Sequence, residues 1–397
     1  MPAPRSFAEI IAPVSEAEFF ASYFDQRPLH VTAADRARFA EVISWRILTE
    51  CLNMTAIWSE VSLGLVLDKV TVPPAQYCRI ATDRNNQQRW QPDAAKVKRL
   101  LRRGASLVAN DIDTLSPGLV AVADALERTL GGKAQSNLYC SWAEHQAFAA
   151  HYDTHDVFAL HAEGEKRWRI YGNRVDKPIA HEAFKAIPQE VHDRQKGEVI
   201  MEPLLHPGDL LYIPRGFYHE ALAASPGTVH VAFGLTYVIG LDVINLLLDH
   251  AVADPLFRAN LPRASAGEDA LKEHLAALAG RLGRLAAGDR VAQDVARYRA
   301  DFFYPRAGFD LPADGLTRRW VVASRGLSIE GSAGREILRG PKGAAPIPPG
   351  QAEMVRWILT AGGFTAEEFA QAFPATPVAV RTRLLGDLVK SRVLAED

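Results

Sequence analysis

His151-Tyr152-Asp153 opens, and Pro207-Gly208-Asp209-Leu210-Leu211-Tyr212-Ile213-Pro214-Arg215-Gly216-Phe217-Tyr218-His219 closes, the region whose reading decides the fold. Side chains on a strand repeat every second residue, so His151 and Asp153 project from one face and can share an ion. A third ligand must come from elsewhere. His219 is the leading candidate, because it follows a turn, Pro214 to Gly216, that ends one β-like run and opens another. The alternative is a polar surface cluster.

The surroundings favour the metal reading. From Gln135 to Tyr237 the chain is cut into short alternating or wholly apolar runs by Gly and Pro turns, the pattern of a β-sandwich or barrel. Gly164 turns a hairpin between Val157–His161 and Lys166–Tyr171, Pro207-Gly208 turns the chain again, and Val229 to Tyr237 is the last strand. On the second hairpin strand Lys166, Trp168 and Ile170 share one face while Arg167, Arg169 and Tyr171 take the other. The first face is the more apolar and points inward, so Lys166 needs an anion, either a small-molecule carboxylate or a protein carboxylate. Two imidazoles and one carboxylate on one octahedral face leave three positions open, the arrangement of non-haem Fe(II) oxygenases.

The flanks are mostly helical. Phe7 to Phe24 reads as two short helices with a start at Ser15, Glu16 and Glu18, and Arg36 to Leu52 repeats the apolar periodicity. Ala94 to Arg103 is a short basic helix, Leu107 to Ile112 a strand, and Leu119 to Leu130 a helix ended by Gly131-Gly132. Beyond the barrel, Leu241 to Ala253 and Ala270 to Phe303 are helical, with Leu271, Leu275, Leu278, Leu282 and Leu285 forming a stripe that is either a packing face or a dimer seam. Gly340 to Gly350 reads as a linker, followed by short helices at 352–361, 365–372 and 377–389 that suit a winged-helix-like unit. Gln351 to Asp397 holds five Arg or Lys against six Asp or Glu, which disfavours a DNA-binding version of that unit.

The 397 residues exceed one typical domain, and a formal net charge of -2 gives no chain-wide drive toward nucleic acid or an anionic membrane. Direct binding to nucleic acid or to a membrane is not expected, and any such binding has to be local. Three separated cysteines, Cys51, Cys78 and Cys140, argue against a disulfide framework and for a reducing compartment. The opening residues lack the apolar run of a signal peptide, and no segment approaches the roughly 20 apolar residues of a membrane span. A cytoplasmic protein is expected.

His151-Tyr152-Asp153-Thr154-His155-Asp156-Val157-Phe158-Ala159-Leu160, continuing through Gly164 to Tyr171, resembles the core motif of the JmjC-type cupins, specifically the ribosomal oxygenase group, and Pro207 to His219 resembles that group's second motif. The resemblance is strongest from Asn137 to Tyr237. It implies an α+β protein with a double-stranded β-helix (cupin, or jelly roll) core holding Fe(II) and 2-oxoglutarate and using O2. His151, Asp153 and His219 would be the iron ligands, Lys166 the partner of the distal carboxylate of 2-oxoglutarate, and Asn137 a residue near that cosubstrate. It further implies a catalytic domain with N-terminal helical decoration over 1–239, a helical homodimerisation segment over 240–330, and a linker with a C-terminal winged-helix domain over 331–397. The implied reaction is hydroxylation of a protein or peptide side chain, such as an arginine or histidine of a ribosomal protein. The same chemistry on a small molecule, or a metal-binding cupin acting only as an interaction module, are the alternatives.

This sequence departs from the group at two places. His161 stands where relatives commonly have glutamine, and the final strand, His230 to Tyr237, carries fewer hydroxyl and amide side chains than is usual, which leaves the second cosubstrate contact open. His155 and His161 are either pocket residues or ordinary hydrogen-bonded histidines, His206 is expected at the surface, and Arg215 is either an anion contact or a solvated turn residue. Trp142, Tyr139 and Tyr218 either shape the entrance or sit in the core.

Overall fold

The computed structural model describes residues 3–82, 86–142, 148–185, 187–306, 319–332, 334–341 and 343–396. The chain divides into two compact units, Met1–Tyr237 and Val238–Asp397.

The first unit opens with two short helices, α1 (Phe7–Ile11) and α2 (Glu16–Ser22), each capped by a serine that accepts a backbone N–H three residues on. Strand β1 (Leu29–Val31) leads to helix α3 (Trp45–Asn53). The expected helix over Arg36 to Leu52 thus begins only at Trp45, where the Ser44 hydroxyl accepts from Ile47 N. Strands β2 (Leu63–Leu67) and β3 (Val70–Thr71), helix α4 (Pro74–Tyr77) and a ribbon of β4 (Cys78–Thr82) and β5 (Gln88–Pro92) follow. Helix α5 (Ala94–Leu101), strand β6 (Ser106–Ala109) and helix α6 (Pro117–Leu130) complete this part, with α6 stopped by Gly131 at φ 69°. Strand β6 is shorter than expected, since Asp111 adopts φ 55° and leaves the extended conformation.

The barrel strands are β7 (Gly132–Ser141), β8 (Asp156–Glu163) and β9 (Lys166–Arg174), then, after helices α7 (Glu182–Lys185) and α8 (Gln189–Gln195), β10 (Val199–Met201), β11 (Leu204–Leu205), β12 (Leu210–Ile213), β13 (Phe217–Ala223) and β14 (Thr228–Tyr237). Two antiparallel sheets result, one in the order β1-β12-β8-β14-β7-β6-β2-β3, the other built on β9, which pairs with β10, β11 and β13. Both hairpin strands expected around Gly164 are present, and the turn needs glycine: φ is 70° and a Cβ would lie 2.0 Å from the Gly227 carbonyl oxygen.

Alternation sorts the strands into two cores. Phe158, Leu160, Tyr212, Val231 and Phe233 pack with Phe7, Phe19 and Leu126 of the helices. Their neighbours Val157, Ala159, Leu211 and Ile213 face the second sheet and pack with Trp168, Ile170, Leu205 and Phe217. This is a cupin jelly roll, with a helical layer on the outer face of the large sheet. The Lys166, Trp168, Ile170 face is buried and Arg167 and Arg169 are exposed, as the alternation requires. Tyr171, on the arginine face, is nonetheless buried, because Tyr152, Tyr218 and the segment around Ile187 cover it.

In the second unit α9 (Gly240–Val252), α10 (Pro255–Arg258), α11 (Gly267–Ala286) and α12 (Asp289–Ala300) form a helical cluster in which His250 of α9 meets Asp294 of α12 at 2.7 Å. The expected run from Ala270 to Phe303 is two helices, broken at Ala287-Gly288. Strands β15 (Arg319–Val322), β16 (Ser328–Glu330), β17 (Ile337–Gly340) and β18 (Gly343–Pro346) come next. The Gly340 to Gly350 stretch is therefore not a bare linker: β16, β17 and β18 pair as a small sheet, with Lys342 outside the described residues. Helix α13 (Ala352–Ala361), β19 (Gly363–Thr365), α14 (Ala366–Ala372), α15 (Val378–Lys390) and β20 (Leu394–Glu396) finish the chain, and β15 pairs with both β19 and β20. Among the described residues no helix is long and apolar enough to cross a membrane.

Asp156, fully buried at the start of β8, joins three elements. It accepts from the Tyr212 hydroxyl at 2.8 Å, the Tyr237 hydroxyl at 3.1 Å and Arg215 N at 2.9 Å. Asp156→Ala leaves one buried and two half-buried donors without their acceptor and is expected to lower the unfolding free energy by about 3 kcal/mol. Urea denaturation checks this, and an unshifted midpoint would remove the network from the stabilising interactions.

Candidate metal centre

His151, Asp153 and His219 converge. One ligand atom from each lies within 4.8 Å of the others, and His219 Nε2 stands 3.5 Å from Asp153 Oδ2. The expectation that His151 and Asp153 lie on a strand needs correction. Both precede β8, and His151 forms an isolated antiparallel bridge with His219, with the two N–H···O bonds at 3.1 and 2.7 Å. The Asp153 carbonyl accepts from Gly216 N at 2.9 Å, which ties this approach to the turn ahead of β13. The ladder is thus interrupted, yet the i, i+2 relation still brings the imidazole and carboxylate together.

The tautomers follow from the backbone. His151 Nδ1 lies 2.8 Å from the Ala149 carbonyl and His219 Nδ1 3.0 Å from the Phe217 carbonyl. A carbonyl only accepts, so each Nδ1 carries the proton and each Nε2 presents a lone pair. Burial, reinforced by His151, pulls His219 down to about 4, so its imidazole is neutral near pH 7. Burial alone would raise the Asp153 carboxyl, but His155, His219 and His151 bring it below the usual carboxylate range. Two imidazole nitrogens and one anionic oxygen fit a divalent metal ion of borderline hardness.

Behind the trio lies a polar interior. Lys166 is buried, its Nζ donating to Ser141 Oγ at 3.4 Å, and Ser141 in turn accepts from Ser106 Oγ at 3.1 Å. Burial pulls the lysine down to about 8. Among the described residues its one side-chain hydrogen-bond partner is Ser141, with no carboxylate in contact. Cross-strand register sets Tyr139, His230 and His161 side by side on β7, β14 and β8. The Tyr139 and His230 rings stack at 5.0 Å, and Trp168 stands edge-on to His230 at 5.5 Å and 5.9 Å from His219. His230 Nδ1, His161 Nδ1 and Trp168 Nε1 are buried without a hydrogen bond. Such orphaned polar atoms beside a buried cation fit a carboxylate-bearing ligand.

The remaining candidates separate. Asn137 shares the Tyr139 face of β7 and accepts from Asp111 N at 3.2 Å. His155 lies over Gly234, whose Cβ would come within 2.9 Å of its ring, and so borders the site, whereas His161 is fully buried with Nε2 held by the Gly164 carbonyl at 2.9 Å. Tyr218 is a core residue packed with Tyr152, and Trp142 packs on the helical core. His206 and Arg215 are partly exposed turn residues, with His206 Nδ1 3.2 Å from Glu165. Sequence reading did not single out His230 or Ser141 as site residues. The signal was present, since both lie on the inward-facing parity of their strands.

Residues 114–242 match the JmjC domain family model. Over 359 residues the chain is 29% identical to Ribosomal oxygenase 1 of Bos taurus, covering 85% of this chain and 51% of that protein. It is 28% identical over 218 residues to the bifunctional lysine-specific demethylase and histidyl-hydroxylase NO66 of Drosophila persimilis, covering 55% of this chain and 29% of that protein. The chain spans about half the length of the Ribosomal oxygenase 1 proteins it matches. Its fold is similar to that of YcfD, a ribosomal oxygenase from Escherichia coli solved in complex with cobalt and 2-oxoglutarate, with a TM-score of 0.53 at 16% identity over 97% of this chain and 99% of that one. With the His-Asp-His trio and Lys166 inside the matched segment of a jelly roll, the chain carries a JmjC domain and is similar to the ribosomal oxygenases.

Proposed function

We propose that this chain is a 2-oxoglutarate- and Fe(II)-dependent oxygenase that hydroxylates a protein side chain, an arginine or histidine of a ribosomal protein. The observation that carries the reading is the pairing of the trio with a buried lysine inside one barrel. Bound Fe(II) and 2-oxoglutarate supply the chemistry, in which oxidative decarboxylation of the cosubstrate to succinate is coupled to C–H hydroxylation. The chain supplies geometry. His151 and His219 offer pre-oriented Nε2 lone pairs and Asp153 an anionic oxygen, leaving the other side of the metal for ligands. Lys166 is the cation for the distal carboxylate, and the orphaned nitrogens of His230 and Trp168 stand where they can donate to the same ligand. Asn137 is assigned to the neighbourhood of the cosubstrate. The substrate class is supported by the names of the relatives.

The rest of the reading concerns assembly. In α9, Leu241, Ile244, Leu248 and Val252 are all more than half exposed, and Leu271, Leu275 and Leu282 of α11 are also exposed. Seven large apolar side chains on two helices support a homodimer seam over 240–330. The three-stranded sheet of β15, β19 and β20 with helices α13, α14 and α15 supports the winged-helix reading of the chain end. Three buried free cysteines support a reducing, cytoplasmic setting.

Aerobic incubation with Fe(II), 2-oxoglutarate and a ribosomal protein is expected to release succinate and add one oxygen to an arginine or histidine; His151→Ala abolishes both. Binding of metal without succinate formation would favour the interaction-module reading instead. Lys166→Met tests the lysine by a stability readout. A folded value of about 8 against 10.5 unfolded means the buried cation costs about 3 kcal/mol below pH 8. The variant is therefore expected to be more stable than wild type by about that amount at pH 7, with the difference shrinking as pH rises from 8 toward 10.5, while its 2-oxoglutarate requirement increases sharply. Leu248→Arg is expected to give monomers in sedimentation, and a dimer that persists would place the seam elsewhere.

A further inference from the structure

The chain between β9 and β10 carries α7 and α8 and covers Tyr171, on the face of β9 opposite Trp168 and Ile170. Helix α8 buries none of its seven residues, and Val191 is its one large apolar side chain. A helix this short is marginal alone and is ordinarily held by an apolar face, which α8 lacks. Its attachments are polar and aromatic instead, at intervals of three residues. Gln189 Nε2 donates to the Ala150 carbonyl at 2.9 Å, the His192 ring stands edge-on to Tyr152 and Tyr218 at 5.5 and 5.7 Å, and Gln195 Oε1 accepts from the Tyr218 hydroxyl at 3.3 Å. Just ahead, the Phe184 carbonyl of α7 accepts from the Tyr152 hydroxyl at 2.9 Å.

Each of these contacts lands beside a residue of the trio. Ala150 lies between His151 and Ala149, whose carbonyl fixes the His151 tautomer. Tyr152 separates His151 from Asp153, and Tyr218 precedes His219. The sheet alone joins these segments sparingly: among the described residues, three backbone hydrogen bonds tie 151–153 to 216–219. The base of the insertion is pinned to β9, with Asn173 Nδ2 donating to the Gln195 carbonyl at 2.7 Å and Gly172 N to the Glu198 carbonyl at 2.8 Å. A fixed element thus reaches both ligand-bearing segments from behind.

We propose that α7 and α8 form a brace that sets the spacing of the metal ligands, with Gln189 and Tyr218 as positioning residues acting through the backbone of 150–153 and 218–219. The inference rests on reading His151, Asp153 and His219 as a metal centre. Plain cover for the sheet is the competing account. It explains Ile187, ahead of the helix, which packs on the tyrosine cluster. It does not explain a helix that buries nothing and directs its polar side chains at the neighbours of the trio. A carbonyl held by Gln189 restricts the peptide that carries His151, and outer partners of this kind change metal affinity by roughly 10- to 100-fold.

The test titrates Co(II) alone into the metal-free full chain and follows, by proton NMR, the exchangeable imidazole N–H signals that the bound ion shifts. Wild type is expected to show two such signals, from the Nδ1–H of His151 and of His219. Gln189→Leu is expected to weaken Co(II) binding roughly tenfold and to displace one signal. Tyr218→Phe, which keeps the ring and loses only the hydroxyl, is expected to displace the other. Affinity and signals at wild-type values in both variants overturn the brace. So does a lowered urea midpoint with both signals unmoved, the mark of plain cover. Failure of wild type to bind Co(II) overturns the metal centre itself, which separates that outcome from failure of the brace.

Discussion

Burial of both faces of the large sheet is the constraint on which the rest of the first unit depends. Phe158, Leu160, Val231 and Phe233 must meet the helices, so Val157, Ala159, His161, His230 and Ala232 must face the second sheet. A slip of one residue would exchange the two sets, exposing roughly 1.5 to 3 kcal/mol of burial for each large apolar side chain to a polar interior. The hydrophobic layer on one side thereby fixes the register of the polar residues on the other. Stability and site geometry are set by the same alternation.

The metal trio uses a local exception to that regularity. The pairing of β13 with β9 shifts register between Phe217 and His219, and the chain enters β13 through Gly216 at φ 87°. Only glycine suits this entry, because a Cβ there would lie 2.1 Å from the Val175 carbonyl oxygen. The irregularity re-aims His219 toward His151, and the two backbones exchange hydrogen bonds across a single bridge. Both imidazoles then fix their own tautomer on a carbonyl two residues back, so no additional side chain is needed to orient them. The cluster is organised by backbone, and its rigidity is that of the sandwich.

Much of this was legible in the sequence, and what was not has identifiable physical causes. The parity of Lys166, Trp168 and Ile170 and the Gly164 hairpin follow from strand geometry alone. The strand through His151 was wrong because a metal-binding pair does not need a continuous ladder, only one bridge. His230 was passed over because a lone histidine in a strand carries no local mark; its role emerges from register with Tyr139 and His161 across two neighbours. The burial of Tyr171 depends on the segment bearing α7 and α8, whose folding back over Tyr152 and Tyr218 no periodicity announces. The strands at 337–346 were hidden by glycine, proline and alanine, which read as a linker whenever backbone pairing rather than side-chain burial makes the sheet.

Average charge was the least informative of the sequence measures, for a reason that belongs to electrostatics. At about 0.1 M salt the screening length is roughly 10 Å, so a phosphate near α5 responds to the charges within that distance and not to the sum over the chain. The net -2 describes solubility and long-range drift, whereas the local +6 over 78–103 sets the field at that surface. Segregation of this kind has a cost, since Lys98, Arg99, Arg102 and Arg103 repel one another on a surface with no described carboxylate to relieve them. Packing cannot account for a cost borne by exposed side chains. The charge pattern, rather than the charge balance, therefore sets the field near this helix.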